Sequence, residues 1–215
     1  MNRVEITENE IHAQAGALLS MIANRAMEAE LTGFEFAAGI PGTLGGACVM
    51  NAGAYGGEMK DVLETVTVLT RDGDVKTLTK DELELGYRTS VIAKKDYIVL
   101  SAVIRLENGK KEEIKAVMDD LKEKRITKQP LEYPSAGSTF KRPEGYFAGK
   151  LIQDAGLRGF QVGGAQVSEK HCGFVVNKDQ ATAADVMNLM NQVSDKVYEM
   201  SGVRLEPEVK RLGVF

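Results

Sequence analysis

The sequence contains 22 glycines, and one cluster of them lies in residues 39–57, GIPGTLGGACVMNAGAYGG. Glycine lets the backbone approach a ligand closely, and a row of exposed N–H groups can line a phosphate or an aromatic ring system. No Gly-Lys-Ser/Thr follows, so the run is not a P-loop, and it does not match the GxGxxG fingerprint of dinucleotide-binding folds. Composition alone favours a glycine-rich surface loop over a nucleotide-binding loop.

Charge and cysteine content exclude several other classes of site. The chain has 27 Lys+Arg against 31 Asp+Glu, a net charge of −4, which argues against nucleic-acid binding. Cys48 and Cys172 form no CxxC or Cys/His cluster, so we expect neither a disulfide nor a metal site, and a reducing, cytoplasmic setting. No apolar stretch approaches the ~20 residues that span a bilayer, and no signal peptide opens the chain, so no membrane partner is expected.

The elements that must position these residues are read from periodicity and turn signals. Helical periodicity appears at residues 15–30 and 111–124, and Thr182 with Asp185 caps a helix that ends at Gly202. A Thr79–Glu82 capping-box pattern predicts one more short helix. The predicted strands are residues 3–7, a hairpin around the turn at 71–74, and residues 97–106, 172–177 and 205–212. This order predicts an α+β fold with a boundary near residues 107–128.

Five segments, taken in order, carry a resemblance to a known family. They are GIPGTLGGACVMNAGAYG, GYRTS, AGSTFKRP, LIQDAGLRGFQVGGAQVSEKHCGFVVN and LEPEVKRLG. Together they resemble the MurB family of UDP-N-acetylenolpyruvoylglucosamine reductases, in its compact type II form. The resemblance covers nearly the whole chain, from about residue 3 to residue 213. The five segments themselves lie between residues 39 and 213.

The resemblance implies a division of the chain into four parts. Residues 1–107 correspond to part of an FAD-binding domain of the vanillyl-alcohol oxidase (PCMH) type, and residues 108–124 to a linking helix. Residues 125–205 correspond to a C-terminal α+β substrate-binding domain, and residues 206–215 to a terminal strand that returns to the active-site cleft. The family's N-terminal FAD subdomain, with its pyrophosphate-binding loop, has no counterpart in this sequence, so we expect weaker FAD binding than in a complete member.

The implied activity is an oxidoreductase reaction of peptidoglycan synthesis, which serves cell wall biogenesis, cell shape and cell division. NADPH is the co-substrate that reduces FAD, and the reduced cofactor converts UDP-N-acetylglucosamine enolpyruvate to UDP-N-acetylmuramate. The expected partner is therefore a nucleotide-sugar substrate, and the expected location is the cytoplasm. The sequence predicts no oligomeric state.

The resemblance assigns three catalytic residues. Ser138 of AGSTFKRP matches the proton donor, although a serine in a turn often bonds only to its own backbone. Arg88 of GYRTS matches the arginine facing the enolpyruvyl carboxylate, although most arginines are merely solvated. Glu208 of LEPEV matches the third residue, while Glu206 shares its face if the segment is a strand.

The resemblance also assigns residues that bind the cofactor and the substrate. The cofactor-binding residues implied are Gly39, Ile40, Pro41, Gly42, Thr43, Gly45, Gly46, Asn51, Gly53, Ala54 and Tyr55. Lys128 and Arg158 match positions that hold the substrate diphosphate, for which cationic side chains are suited. His171 matches a third substrate position, and Arg142 stands where some members have Asn. Surface charge is the alternative explanation for all four.

Two further interpretations stay open. The first is another flavin oxidoreductase of the vanillyl-alcohol oxidase type, against which the Ser138, Arg88 and Glu208 set argues. The second is a truncated, inactive nucleotide-binding fragment. The presence or absence of a flavin spectrum in the purified protein separates an enzyme from such a fragment.

Overall fold

A computed structural model describes residues 1–213 of the chain. These residues form two compact units, residues 1–125 and residues 126–213, and the boundary falls within one long helix. Among the described residues, no helix is both long enough and apolar enough to cross a membrane.

The first unit contains nine short strands, five helices and one 3₁₀ turn. The strands are β1 (Val4–Thr7), β2 (Glu10–Gln14), β3 (Leu31–Thr32), β4 (Gly53–Ala54), β5 (Gly57–Glu58), β6 (Leu63–Leu69), β7 (Val75–Thr79), β8 (Ile98–Arg105) and β9 (Glu107–Asn108). The helices are α1 (Leu19–Glu28), α2 (Leu44–Met50), α3 (Met59–Val62), α4 (Val91–Lys94) and α5 (Lys111–Lys128), with the 3₁₀ turn at Glu35–Ala37.

An antiparallel five-stranded sheet in the order β1-β2-β8-β6-β7 organises this unit. Alternation along the strands sends one set of side chains inward, such as Ile11 in β2, Val66 in β6 and Ile104 in β8, all fully buried. Strands β1 and β7 are the two edges of the sheet, and most side chains of β7 are exposed. The apolar face that results carries helix α2, which begins inside the glycine-rich run.

Residues 10–30 differ in part from the sequence-based prediction. Strand β2 was missed, and helix α1 begins at Leu19 rather than at residue 15. The reason is tertiary: the backbone N–H of Ala15 donates to the carbonyl of Leu100 at 2.9 Å, which extends the sheet pairing into the predicted helix. The predicted Thr79–Glu82 capping contact is present, with Thr79 N to Glu82 Oε2 at 2.8 Å, but only a turn follows it.

The second unit is built on a smaller antiparallel sheet. Its elements are β10 (Ser135–Ser138), α6 (Ala148–Asp154), β11 (Gln161–Val162), β12 (Ala165–Val167), β13 (Phe174–Asn177) and α7 (Ala183–Ser201). The strand order is β10-β13-β12-β11, and the apolar face of α7 packs with Leu189, Val193 and Val197 fully buried. The predicted capping box of α7 is confirmed, because Thr182 and Asp185 bond to each other's backbone N–H groups.

The C-terminal segment does not form the predicted strand over residues 205–212. Among the described residues it makes one β-bridge, between Phe140 and Pro207. The bridge is held by its flanking residues: Lys141 N donates to Glu206 O and Glu208 N donates to Thr139 O, each at 2.8 Å. Pro207 therefore lies where the ladder needs no N–H, and the pairing ends after Glu208. The bridge nevertheless brings the backbone of Glu208 beside Thr139, the residue that follows Ser138.

Candidate active site

The glycine-rich run is fixed to the first unit by backbone pairing. Leu19 N donates to Gly42 O at 3.1 Å, and Leu44 N donates to Ala17 O at 2.9 Å. Gly45 N donates to Ala15 O at 2.8 Å, and a Cβ on Gly45 would lie 3.0 Å from the Ala15 methyl. Gly45 therefore faces the interior, where it allows α2 to approach the sheet closely.

The opposite side of this run is bare backbone. Gly42 has a φ of +141°, which favours glycine, and a Cβ there or on Gly46 would have no atom of residues 1–213 within 4 Å. Gly42, Gly46 and Pro41 are all exposed. The segment therefore presents an open, side-chain-free surface, which suits a flat ring system or a diphosphate.

A tight hairpin of β4 and β5 follows α2. Its turn residues, Tyr55 and Gly56, both have positive φ, at 53° and 92°. The strands approach so closely that a Cβ on Gly53 would lie 2.7 Å from the carbonyl oxygen of Gly57. Gly53, Ala54 and Tyr55, predicted to bind the cofactor, thus form a compact finger with the Tyr55 side chain 44% exposed.

Alanine substitutions at two glycines of this region should have opposite effects on stability. Gly53→Ala places a methyl group against backbone, so we expect unfolding free energy to fall by about 1–3 kcal/mol. Gly46→Ala lies in helix α2 with open space around it, so we expect a gain of about 0.4–1 kcal/mol from a less flexible unfolded chain. Urea denaturation of both variants tests this, and equal effects would contradict the described hairpin.

Asn51 links three parts of the first unit. It is fully buried with a φ of 47°. Its Nδ2 donates to Glu58 Oε2 at 2.7 Å and to Gly86 O at 3.1 Å, and its Oδ1 accepts from Lys60 N at 2.8 Å. The side-chain amide is therefore committed to protein groups. The structure gives Asn51 a positioning role that sequence analysis missed: it holds the GYRTS segment beside the glycine-rich run.

Arg88 lies at the tip of a tight turn. Gly86 and Thr89 exchange two backbone hydrogen bonds, at 3.1 and 3.3 Å, and Arg88 between them has a φ of 54°. A left-handed conformation costs a non-glycine residue roughly 1–2 kcal/mol, so it persists only where the surroundings impose it. The half-buried guanidinium lies 3.4 Å from Gly53 O, measured from Nη2, and 5.1 Å from the Tyr87 ring centroid.

Ser90 anchors the other side of this turn, a function that sequence analysis also missed. It is fully buried, and its Oγ donates to Val49 O at 2.6 Å. The same oxygen accepts from Ala93 N at 3.2 Å and caps helix α4. A serine directly before an apolar helical stretch is an N-cap signal that could have identified it. Arg88 is thus held between two anchors, Asn51 and Ser90.

Ser138 lies on a β-bulge in the second unit. Ser135 pairs with Val176 but Ser138 pairs with Phe174, so β10 contains one residue more than β13 over this stretch. Gly137 supplies the bulge with a φ of 87°. A bulge redirects the following side chain. Ser138 is exposed, and its hydroxyl has no hydrogen-bond partner within residues 1–213.

The two candidate glutamates have different surroundings. Glu208 N donates to Thr139 O at 2.8 Å, which places its backbone beside the residue that follows Ser138. Its side chain is half-buried. Glu206, in contrast, is exposed and pairs with Lys141 Nζ at 3.1 Å. The backbone of Glu208 thus lies beside the residue that follows Ser138, whereas the Glu206 carboxylate is paired with a lysine.

Arg158 and His171 lie close together in the second unit. Arg158 donates to Gln153 Oε1 at 2.9 Å and to the carbonyl of Glu169, which holds its exposed guanidinium in place. The His171 ring packs edge-on against Phe174 at 5.0 Å, and its Nδ1 accepts from Gly173 N at 3.0 Å. Lys128 is exposed at the end of α5.

The environment of His171 predicts a pH dependence of stability. Burial, together with the nearby Arg158 charge, lowers the pKa of His171 below its ordinary value of 6.5. The unfolded chain therefore binds this proton more readily, so stability should fall as pH drops from about 6.5 through the folded-state pKa. An NMR titration should show His171 titrating below 6.5, and His171→Gln should remove this part of the acid sensitivity in urea denaturation. A pKa at or above 6.5 would contradict the prediction.

Comparison with known proteins bears on the identity of these units. Residues 1–79 match the FAD binding domain family, and residues 129–212 match the UDP-N-acetylenolpyruvoylglucosamine reductase C-terminal domain. A UDP-N-acetylenolpyruvoylglucosamine reductase of Clostridioides difficile is 56% identical over 212 residues, covering 99% of this chain and 70% of the relative. The chain belongs to the UDP-N-acetylenolpyruvoylglucosamine reductase family. Its family and α+β fold class, as predicted from the sequence, are thereby confirmed.

Other relatives agree with this membership of the MurB family. The reductase of Agathobacter rectalis is 65% identical over 205 residues, covering 95% of this chain but 65% of the relative. The crystal structure of MurB from Thermus caldophilus matches with a TM-score of 0.81 at 39% identity, over 93% of this chain and 71% of that one. The chain thus spans roughly two thirds of the length of these relatives.

The residues of the first unit fit the cofactor of the MurB family. The groups that would hold FAD are the bare backbone at Gly42 and Gly46, the exposed Tyr55 of the β4–β5 finger, and Arg88 beside Gly53. The match of residues 1–79 to an FAD binding domain agrees with this fit. Arg88 belongs to this unit, whereas Ser138, Glu208, Lys128, Arg158 and His171 belong to the second unit.

Proposed function

We propose that the chain carries the catalytic residues of a UDP-N-acetylenolpyruvoylglucosamine reductase. The reaction converts UDP-N-acetylglucosamine enolpyruvate to UDP-N-acetylmuramate in peptidoglycan synthesis, with NADPH as the source of hydride. The observation that carries the proposal is the β-bulge at Gly137. It exposes the Ser138 hydroxyl, which has no hydrogen bond within residues 1–213, and the next residue, Thr139, accepts a hydrogen bond from Glu208 N.

Ser138 is proposed as the proton donor. FAD, once bound and reduced by NADPH, would supply the hydride to the vinyl carbon distal to the carboxylate. The neighbouring carbon then carries negative charge as an enolate and must receive a proton. Such a carbon is a strong base, so a hydroxyl without a competing acceptor is an adequate acid when it is held in position. The bulge supplies that position.

Arg88 is proposed to bind the enolpyruvyl carboxylate. A guanidinium binds a carboxylate through two parallel N–H···O bonds, and its charge stabilises the enolate more than the ground state. The left-handed backbone of Arg88 supports this role, because strained residues that are anchored on both sides are concentrated at functional sites. Asn51 and Ser90 are the anchors.

The other predicted site residues are one carboxylate, two cationic side chains and one histidine. Glu208 is proposed to orient the proton donor or to donate a hydrogen bond to the enolate. Lys128 and Arg158 are proposed to bind the substrate diphosphate, and the bonds that hold Arg158 in place reduce the entropy lost on binding. The His171 ring packs against Phe174, near Arg158, and is neutral near neutral pH.

We place the reaction in the cytoplasm. Both Cys48 and Cys172 are free and buried, as is usual in a reducing compartment. Burial raises the pKa of the Cys48 thiol to about 12, so it is inert toward oxidation and plays no nucleophilic part.

A substrate-dependent assay tests the proposed function. The protein is loaded with FAD, and NADPH oxidation is followed with and without UDP-N-acetylglucosamine enolpyruvate, while mass spectrometry detects a product heavier by two hydrogens. We expect NADPH consumption that requires the enolpyruvyl sugar. NADPH oxidation supported only by oxygen would favour another flavin oxidoreductase, and protein that takes up no FAD would favour the nucleotide-binding fragment.

A further inference from the structure

Arg125, near the end of α5, lies against the first glycine of the glycine-rich run. A Cβ on Gly39 would lie 2.9 Å from Arg125 Nε, 3.4 Å from its Cζ and 3.5 Å from its Cδ. Only a residue without a side chain leaves room for the guanidinium at this place. Both residues belong to the first unit, and Arg125 is half-buried. Sequence analysis did not assign Arg125 a role.

Arg125 is the arginine of the first unit whose guanidinium contacts no carboxylate or backbone carbonyl among residues 1–213. The other arginines contact a carboxylate or a backbone carbonyl: they are Arg3, Arg25, Arg71, Arg88 and Arg105. Arg125 has no hydrogen bond or ion pair to any of residues 1–213. Guanidinium is always charged and carries five N–H donors, so Arg125, which has no protein acceptor, keeps these donors available for a ligand.

We propose that Arg125 binds a phosphoryl group of a nucleoside diphosphate that lies along the glycine-rich run. This inference rests on the proposed function, because that function supplies two ligands with a diphosphate: FAD and the nucleotide sugar. A planar guanidinium binds phosphate oxygens through two parallel bonds. The neighbouring backbone at Gly42 is open and carries no side chain that would exclude such a group.

Gly39 leaves the space that the Arg125 guanidinium occupies. Gly39 does not require a left-handed backbone, so alanine there is tolerated locally and its methyl group displaces only the flexible end of Arg125. Gly39→Ala should therefore weaken binding of the diphosphate ligand by a few-fold through Arg125 alone. In the Arg125→Gln background the same substitution should have almost no further effect, which a double-mutant cycle measures.

The direct test is NMR of the arginine Nε–H signals of the 215-residue protein, with the Arg125 signal identified from Arg125→Gln. FAD, riboflavin and UDP-N-acetylglucosamine are added in turn. We expect the Arg125 signal to move with FAD or with the nucleotide sugar, whichever supplies the diphosphate, and not with riboflavin, which has none. No movement with either diphosphate up to millimolar concentrations overturns the proposal, as does an equal movement with riboflavin.

Affinity measurements provide the matched control. Arg125→Gln should weaken the diphosphate ligand roughly 10- to 100-fold, because a charge-assisted bond is lost. Arg71→Gln removes the same charge from the same unit, at the exposed β6–β7 turn where Arg71 pairs with Asp96, and should change affinity less than about twofold. If both variants lost affinity equally, the effect of Arg125 would come from the net charge of the unit and not from direct contact with the ligand, which would contradict the proposal. These readouts need no turnover, so loss of the reductase reaction and failure of the Arg125 site are distinguishable.

Discussion

Ser138→Ala is expected to lower turnover of the FAD-loaded protein by about 10²–10⁴-fold, the usual contribution of a positioned general acid. The substitution removes one exposed hydroxyl with no described partner, so the fold and the unfolding free energy should barely change. Ser138→Cys should retain more activity than Ser138→Ala, since a thiol also donates a proton. Steady-state NADPH oxidation with the enolpyruvyl sugar measures all three proteins.

Ser135→Ala is the matched control for this prediction. It makes the same chemical change at an exposed position three residues earlier in β10, where the hydroxyl accepts one long bond, 3.4 Å, from Gly137 N. Its turnover should stay within about twofold of the unmodified protein. If Ser135→Ala and Ser138→Ala lost activity equally, the effect would come from the strand and not from the Ser138 hydroxyl.

Arg88→Ala and Arg88→Gly form the second pair of substitutions with a large expected effect. Both remove the guanidinium, so both should raise KM for the enolpyruvyl sugar and lower kcat by about 10²–10³-fold. They should differ in stability, however. Because position 88 has a φ of 54°, the glycine variant should be more stable than the alanine variant by about 1 kcal/mol.

Urea denaturation and steady-state kinetics together test this pair. If the left-handed backbone at Arg88 is maintained for function, Arg88→Gly should be more stable than Arg88→Ala and equally inactive. Substantial activity in either variant would remove Arg88 from the catalytic set. An alanine variant as stable as the glycine variant would contradict the left-handed turn.

The elements predicted from the sequence were those specified by neighbouring residues. The capping box of α7 uses Thr182 and Asp185, three positions apart, and the β6–β7 hairpin follows from the turn at residues 71–74. Strand β2 was missed although it forms a hairpin with β1, because the two-residue turn at residues 8–9 is Glu-Asn and contains no glycine signal. Its other pairing, with β8, joins residues about ninety positions apart. The predicted terminal strand was wrong in its length, because within residues 205–212 the pairing consists of one bridge at Pro207 and its two flanking hydrogen bonds.

The candidate site shows the same division between local and distant information. Arg88, Ser138 and Glu208 were predicted through the resemblance to the MurB family, because each lies in a short segment that matches one of its motifs. The inward orientation of Asn51 depends on Gly86, 35 residues later in the chain, and local sequence does not reveal it. The choice between Glu206 and Glu208 likewise required the ion pair of Glu206 with Lys141 and the bond of Glu208 N to Thr139 O.

Separate measurement of the two half-reactions of Ser138→Ala tests the central claim most directly. Stopped-flow absorbance follows the reduction of the FAD-loaded protein by NADPH, and then its reoxidation by UDP-N-acetylglucosamine enolpyruvate. If Ser138 protonates the substrate carbon, reduction by NADPH should proceed at nearly the unmodified rate, while reoxidation by the enolpyruvyl sugar should slow by about 10²–10⁴-fold. Equal slowing of both half-reactions would make Ser138 a structural residue and would contradict its assignment as the proton donor.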